Sequence, residues 1–156
     1  ECGTLTTDQF RDRICKEVGR ELPGEEIDQI WNAMLKDIPD YKFELLLKLQ
    51  ENYKLYLLSN TNDLHWEHCA DKFVYKGMQM LGCFTRVFLS YQMHLAKPDA
   101  EIFRTVLKEA GIKAEETLFV DDSKDNCQAA SLLGIKVFHY VPGDNLEIQL
   151  QNFISK

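Results

Sequence analysis

Four short apolar runs alternate with helical segments over the last two thirds of the chain, and polar clusters follow the first and third of them. The runs lie at 54–58, 86–90, 117–120 and 136–140. Runs of this length with turn signals on either side predict buried strands. Strands that alternate with helices predict a parallel sheet with right-handed crossovers, and ligands of such sheets bind beyond the carboxyl ends of the strands. The sequence therefore predicts an α/β fold with its functional residues at those ends.

Helical spacing of apolar residues marks the segments around these runs. Helices are predicted at 6–18, 25–36 and 41–50 in the first third, and at 63–73, 99–110 and 124–133 between the strands. Lys97-Pro98 is expected to open the helix at 99–110, since proline is well tolerated at a helix start. Residues 143–155 read as a last amphipathic helix or an irregular tail. The prediction is a helical segment followed by a βαβαβαβ region.

Composition excludes several classes of protein. The net charge of −7 over 156 residues leaves no basic stripe for a nucleic-acid backbone, although one lysine and a metal can still attract a small anionic substrate. No apolar stretch is long enough to span a bilayer, and no segment reads as a signal peptide. The five cysteines are scattered and never form a C-x-x-C pair, which favours free thiols in a reducing compartment. We expect a cytoplasmic protein that binds neither nucleic acid nor membrane.

An acid pair, Asp121–Asp122, follows the third apolar run. Adjacent carboxylates repel each other, and a folded protein keeps them together mainly where a positive charge is close. Mg²⁺ is the usual candidate, because it prefers oxygen ligands and takes only one or two carboxylates. The alternative is a solvated turn in which Asp122 or Ser123 caps the next helix. Asn126 is close enough along that helix to return towards the strand end.

Two weaker signals lie at other strand ends or helix starts. Ser59–Asn60 follows the first run, and a small hydroxyl with nearby backbone N–H groups can hold a phosphoryl oxygen. The alternative is an ordinary turn. Lys97 precedes the helix at 99–110, where its ammonium group can reach the sheet edge or simply be exposed at a helix start. His65 and His68 lie on one helical face and are predicted to be a surface pair.

The order of hydroxyl, lysine and acid pair resembles the haloacid dehalogenase-like hydrolase superfamily over residues 53–142. The matching motifs are Leu57-Leu58-Ser59-Asn60, Ala96-Lys97-Pro98-Asp99, Phe119-Val120-Asp121-Asp122-Ser123, Asn126, Ala129-Ala130 and Leu133-Gly134. The resemblance implies a Rossmann-like parallel sheet with flanking helices and a small helical cap inserted after the first strand. Residues 1–51 would be part of the cap, leading into a core helix near 41–51, and residues 52–156 the core.

The same resemblance implies the site roles. Ser59 and Asn60 would bind the phosphate group and Lys97 would steady the phosphoryl group during transfer. Asp122 would bind Mg²⁺, with Asp121 as a second or water-mediated ligand. Ser123 and Asn126 would hold the acid pair in place without binding the metal themselves.

Within the family, the acid pair favours phosphoryl transfer over metal-free dehalogenation. The implied activity is Mg²⁺-dependent hydrolysis of a small phosphorylated metabolite through an aspartyl-phosphate. A phosphomutase of the same superfamily and a catalytically inactive binding or structural module remain the alternatives. A response-regulator receiver domain is excluded, because its acid pair follows the first strand, whereas Asp121–Asp122 follows Lys97.

The family's nucleophile has no counterpart in this sequence. It belongs to a first strand that ends in Asp-x-Asp, whereas Asp37 and Asp40 flank a proline and follow no strand. We therefore expect the nucleophile upstream of Glu1, and a chain of these residues alone to be inactive. The missing strand would lie between the strands that end at Leu58 and Val120, so the facing edges of those strands are expected to lack pairing. The rival account is a product that lost its catalytic strand.

Overall fold

The computed structural model describes residues 2–143 and 145–154 of the chain. The chain divides into two compact units, Glu1–His94 and Leu95–Lys156. The boundary predicted from the sequence, between residues 51 and 52, lies inside the first unit. The division into cap and core therefore stays a prediction.

Three helices open the first unit. They are α1 at Thr7–Val18, α2 at Gly24–Asn32 and α3 at Asp40–Gln50. A capping box begins α1, because the Thr6 hydroxyl accepts a hydrogen bond from the Gln9 amide at 3.2 Å and the Gln9 side chain accepts one from the Thr6 amide at 3.0 Å. Gly19 ends this helix with a φ of 74°, in the left-handed region that glycine adopts without penalty. The three helices predicted for the first third are confirmed.

Parallel strands and a short hairpin complete the first unit. The elements are β1 at Leu55–Ser59, α4 at Asp63–Ala70, β2 at Val74–Tyr75, β3 at Met78–Gln79, a 3₁₀ turn at Met80–Cys83, β4 at Phe84–Leu89 and α5 at Ser90–Met93. Strands β1 and β4 are parallel, and their ladder ends with Ser59 opposite Leu89. The antiparallel β2–β3 hairpin was not predicted, since strands of two residues carry no detectable period.

The hairpin is held by packing on α3. Phe43 stacks on Tyr75 with ring centroids 5.7 Å apart, and both belong to a buried cluster with Met80. Burial of three large side chains gives this short hairpin the stability that an isolated two-stranded ribbon lacks.

The second unit contains the other parallel pair. Its elements are α6 at Ala100–Ala110, a 3₁₀ turn at Ala114–Glu116, β5 at Leu118–Asp121, α7 at Lys124–Ser131, β6 at Lys136–His139 and α8 at Leu146–Ile154. Strands β5 and β6 are parallel, with Asp121 opposite His139. The predicted α/β architecture of parallel strands and flanking helices is confirmed, as is the last helix. Its predicted extension into Ser155 lies outside the described residues.

Of two local predictions, one agrees with the structure and one is wrong. Helix α6 begins after Asp99, whose carboxylate accepts a hydrogen bond from the Glu101 backbone N–H at 2.9 Å. Pro98 therefore lies directly before the helix, close to the predicted start. Strand β5 is half-exposed, with Val120 at 37% exposure, although the apolar run predicted a buried strand.

The exposure of β5 follows from its pairing. In the part of the chain that the structure describes, β5 is hydrogen-bonded to β6 alone, and β1 is hydrogen-bonded to β4 alone. The four parallel strands thus form two pairs, and each pair has two edges, whereas central strands of parallel sheets have neighbours on both sides. Over the same residues, no helix combines the length and apolarity needed to cross a bilayer.

Candidate active site

A buried ion pair lies at the carboxyl end of β5. The Nζ atom of Lys97 is 2.7 Å from Oδ2 of Asp121, and the two side chains are 9% and 8% exposed. The ammonium group also lies 5.5 Å from the ring centroid of Phe119, which gives it a favourable aromatic contact. Of the two alternatives that the sequence left for Lys97, the structure shows the contact at the sheet edge, with Asp121, and not an exposed lysine.

The second oxygen of Asp121 is held by the start of α7. Its Oδ1 accepts hydrogen bonds from the backbone N–H of Ser123 at 2.8 Å and from Nδ2 of Asn126 at 2.9 Å. Ser123 is the N-cap residue of α7, and its hydroxyl accepts a hydrogen bond from the backbone N–H of Asn126 at 3.4 Å. The cap fixes the first turn of α7, and in this turn the Asn126 side chain reaches Asp121 at the strand end, as its spacing predicted.

Burial and hydrogen bonding act in opposite directions on Asp121. Burial alone would raise the pKa of this carboxyl group, because it disfavours the charged form. The hydrogen bonds from Lys97, the Ser123 N–H and the Asn126 amide outweigh burial and hold the pKa of Asp121 below its ordinary value. Asp121 is therefore ionised at neutral pH, and Lys97 compensates its charge.

Asp122 differs from its neighbour, since it is exposed. Its backbone carbonyl oxygen lies 3.0 Å from Nε2 of His139, which fixes the backbone while the carboxylate points to solvent. Of the two acids, Asp122 is therefore the more accessible oxygen ligand.

The donor set at this strand end fits Mg²⁺. No cluster of three or more histidine, cysteine or acidic residues suited to a metal occurs within the described residues. Mg²⁺ does not require one, because it binds through one or two carboxylates and completes its shell with water and phosphate oxygens. Asp122, with Asp121 beside it, meets that requirement.

The serine and asparagine predicted to bind phosphate belong to the first unit. Ser59 is the last residue of β1, and its hydroxyl has no hydrogen-bond partner among the residues that the structure describes. The loop continues to Asn62, whose side chain caps α4 by accepting a hydrogen bond from the His65 amide at 2.9 Å. Ser59 and Asn60 thus lie between the end of a strand and the start of a helix, as predicted.

His65 is half-buried, whereas the sequence indicated an exposed surface pair with His68. Its ring stacks on Trp31 with centroids 5.3 Å apart, and its Nε2 lies 3.2 Å from the Trp31 carbonyl oxygen. The prediction missed this contact because Trp31 is 34 residues away in the sequence.

The structure also assigns contacts to residues that sequence reasoning did not single out. The buried thiol of Cys127 donates to the carbonyl oxygen of Asp121 at 3.6 Å. Ser90 is bonded to Thr61 in the loop after β1. A signal for Ser90 was present, since Leu89-Ser90 ends the second apolar run as Leu58-Ser59 ends the first.

Each predicted site residue now has a place. Lys97, Asp121, Ser123 and Asn126 are in contact in the second unit, with Asp122 exposed beside them. Ser59 and Asn60 lie at the equivalent strand end of the first unit. Their roles in binding and catalysis stay predictions.

Comparison with known proteins identifies a family and related enzymes. The sequence model of the haloacid dehalogenase-like hydrolases matches residues 5–134. A D-ribitol-5-phosphate phosphatase from Bacteroides thetaiotaomicron is 36% identical over 140 residues, which cover 88% of this chain and 68% of that protein.

Solved structures agree with the sequence match. A wild-type HAD family enzyme from Bacteroides thetaiotaomicron, crystallised with magnesium and inorganic phosphate, matches with a TM-score of 0.90 and 44% identity over 94% of this chain and 74% of its own. A predicted HAD-like family hydrolase from Porphyromonas gingivalis matches with a TM-score of 0.91 and 29% identity over 100% of this chain and 77% of its own.

Proposed function

Because this chain belongs to the haloacid dehalogenase-like hydrolase family, we propose that it is part of a Mg²⁺-dependent phosphatase that acts on small phosphorylated metabolites. The observation that carries the proposal is the Lys97–Asp121 ion pair at the end of β5, with exposed Asp122 beside it. A relative named D-ribitol-5-phosphate phosphatase and a related enzyme crystallised with magnesium and phosphate support it.

The second unit would supply the charges for phosphoryl transfer. Lys97 places a positive charge at the strand end, where it stabilises the negative charge on the transferring phosphoryl oxygens. Asp121 holds this ammonium group in place, and Ser123 and Asn126 hold Asp121. Asp122 would bind Mg²⁺, with Asp121 second, and the bound ion would neutralise further phosphoryl charge.

The first unit would bind the phosphate group of the substrate. The Ser59 hydroxyl can donate to a phosphoryl oxygen, and the backbone after it leaves the β1 ladder at the same point. Asn60 would provide a further contact from the same loop. A small hydroxyl suits this role because it binds an oxygen without crowding the phosphorus.

The covalent chemistry is proposed to run through an aspartyl-phosphate. A carboxylate oxygen attacks phosphorus, the P–O ester bond breaks, and the alcohol leaves with a proton from a general acid. Water then attacks the acyl phosphate, which releases inorganic phosphate and restores the carboxylate. None of the described site residues is assigned as this nucleophile.

The test measures phosphate release by the full-length protein. D-Ribitol 5-phosphate and p-nitrophenyl phosphate would be assayed with Mg²⁺ and with excess EDTA. We expect turnover that EDTA abolishes and a loss of at least about 100-fold in kcat/KM for Asp122→Asn. Asp125→Asn is the matched control, because Asp125 is an equally exposed carboxylate on the first turn of α7.

Three results would refute parts of the proposal. Turnover that persists in EDTA would exclude the metal requirement. An equal loss in Asp122→Asn and Asp125→Asn would exclude Asp122 as the ligand. Consumption of a sugar phosphate without release of inorganic phosphate would favour a phosphomutase, in which a sugar hydroxyl replaces water as the acceptor.

A further inference from the structure

One hydroxyl group fastens the loop after β1 to the residue after β4. The Ser90 Oγ accepts a hydrogen bond from the Thr61 amide at 2.9 Å and donates one to the Thr61 carbonyl oxygen at 2.9 Å. Ser90 has an exposure of 0% and Thr61 of 8%, and they are the buried polar side chains of the described residues. A single buried side chain thus satisfies both backbone groups of one loop residue.

The two hydrogen bonds of Ser90 continue the backbone pairing just beyond the end of the β1–β4 ladder. The β1–β4 pairing ends with Ser59 opposite Leu89, so the backbone of Thr61 lies beyond the last ladder position. Buried N–H and C=O groups without partners are costly, and the Ser90 hydroxyl removes that cost for both groups of Thr61. The backbone of the loop is therefore fixed two residues after Ser59.

The loop is also fixed at its far end. The Asn62 side chain caps α4 through the His65 amide at 2.9 Å. The loop from Ser59 to Asn62 is therefore held by the ladder at Ser59, by Ser90 at Thr61 and by the cap of α4 at Asn62. These contacts leave little freedom to the backbone that carries the Ser59 hydroxyl.

We infer that Ser90 is a positioning residue for phosphate binding: it orients the Ser59–Asn62 loop through Thr61 and does not itself touch the substrate. The inference rests on the proposed function, in which Ser59 and Asn60 bind the phosphate group. Preorganised donors bind an anion without a further cost of ordering, so a loosened loop binds phosphate more weakly. The effect falls on phosphate affinity more than on the chemical step.

The experiment measures phosphate affinity and loop opening separately in the full-length protein with Mg²⁺. Competitive inhibition by inorganic phosphate gives Ki, turnover of p-nitrophenyl phosphate gives KM and kcat, and hydrogen exchange reports the Thr61 amide. Ser90→Ala removes both bonds, and Ser90→Cys weakens them while nearly keeping the shape of the side chain. Phe88→Leu is the control, because Phe88 is 2% exposed on β4, the strand just before Ser90, and its truncation destabilises β4 without removing the bonds to Thr61.

We expect Ki for phosphate and KM to rise about tenfold in Ser90→Ala and less in Ser90→Cys, as the loss of one to two net hydrogen bonds predicts. The Thr61 amide should exchange faster in both variants, whereas Phe88→Leu should leave Ki unchanged. Should Ser90→Ala fail to fold, Ser90→Cys provides the same comparison.

Two kinds of result would overturn the inference. The role of Ser90 is overturned, and the proposed function left intact, if phosphate affinity is unchanged in the Ser90 variants although Thr61 exchanges faster. The same holds if Phe88→Leu reduces phosphate affinity as much as the Ser90 variants do. A wild-type protein that neither hydrolyses p-nitrophenyl phosphate nor binds phosphate overturns the proposed function and this inference with it.

Discussion

Lys97 and Asp121, 24 residues apart in the sequence, form an ion pair at 2.7 Å with both side chains more than nine-tenths buried. Neither charge would be stable at such a position alone, because desolvation of an unpaired ion costs several kcal/mol. Each residue therefore requires the other, and the pair fixes where the positive charge of the candidate site lies.

This dependence predicts the effect of removing the lysine. Lys97→Met should lower the free energy of unfolding by about 3 kcal/mol, because it leaves the Asp121 carboxylate buried without its counter-ion. The double variant Lys97→Met/Asp121→Leu should lose less than the two single variants together, since it buries no unpaired charge. Urea unfolding followed by circular dichroism measures both.

Lys124→Met is the control for this prediction. Lys124 is exposed at the start of α7, so its replacement should change stability by no more than about 0.5 kcal/mol. Additive losses in the double variant would show that the Lys97–Asp121 pair has no energetic coupling.

Asn126 provides a test of the orientation of Asp121. Asn126→Asp keeps the shape of the side chain but replaces the amide that donates to Asp121 at 2.9 Å by a second carboxylate. Like charges at this distance disfavour ionisation of Asp121, so kcat/KM with p-nitrophenyl phosphate at pH 7 should fall at least about tenfold. Gln128→Glu makes the same change at an exposed position of the same helix and should have little effect. Equal losses in the two variants would indicate a general charge effect.

Gly3 provides a test of packing at the start of the described chain. It has a φ of +64°, and a Cβ atom at this position would overlap the carbonyl oxygen of Tyr91. Gly3→Ala should therefore displace this segment and break the 3.1 Å contact between Nδ1 of His94 and the carbonyl oxygen of Cys2. The NMR signals of the His94 ring report the loss.

Gly111→Ala is the matched control for Gly3→Ala. Gly111 has the same φ of +64°, but a Cβ atom there would meet nothing within 4 Å. It should cost about 1 kcal/mol of stability from the left-handed backbone alone and leave the His94 signals unchanged. Unchanged His94 signals in Gly3→Ala would show that the segment accommodates a Cβ.

The burial of the Cys69 thiol predicts how its reactivity depends on pH. Burial raises the pKa of this thiol, and the positive charge of Lys72 lowers it by less. A raised pKa means less thiolate at a given pH, and only the thiolate reacts with iodoacetamide. The alkylation rate of Cys69 should therefore still increase with pH above the ordinary thiol pKa of about 8.5.

The effect of the Lys72 charge on the Cys69 thiol can be tested separately with a variant. Lys72→Met removes the charge that favours the thiolate, so alkylation of Cys69 at pH 8 should be slower still, as followed by mass spectrometry of the labelled peptide. Lys54→Met, an exposed lysine before β1, should leave the rate unchanged. A profile that levels off below pH 8.5 would contradict the effect of burial.

Local sequence predicted the elements well where one short signal sufficed. The start of the first helix at 6–18 and the apolar runs before Ser59 and Asp121 were placed within one or two residues of the observed elements. Asn126 was predicted to return to the strand end because it lies four residues beyond Asp122, and the Ser123 N-cap of α7 is the structural reason that it does. These features depend on neighbours within about five residues, which a sequence displays directly.

Contacts between distant residues were harder to predict. The bond between Ser90 and Thr61 spans 29 residues, and the stacking of Trp31 on His65 spans 34. Periodicity places such residues on elements but does not say which elements meet. The exposure of Val120 was missed for the same reason, since burial of a strand depends on its neighbours in the sheet.

The sequence by itself determined the α/β architecture and the order of serine, lysine and acid pair at the ends of elements, because hydrophobic period and residue order are local properties of the chain. The order of these motifs also gave the resemblance to the family. Only the tertiary structure decided that Asp121 is buried against Lys97 while Asp122 is exposed, and that Ser90 holds the loop after Ser59. Two adjacent aspartates are chemically identical in a sequence. They become different only when folding surrounds one of them with donors and leaves the other in solvent.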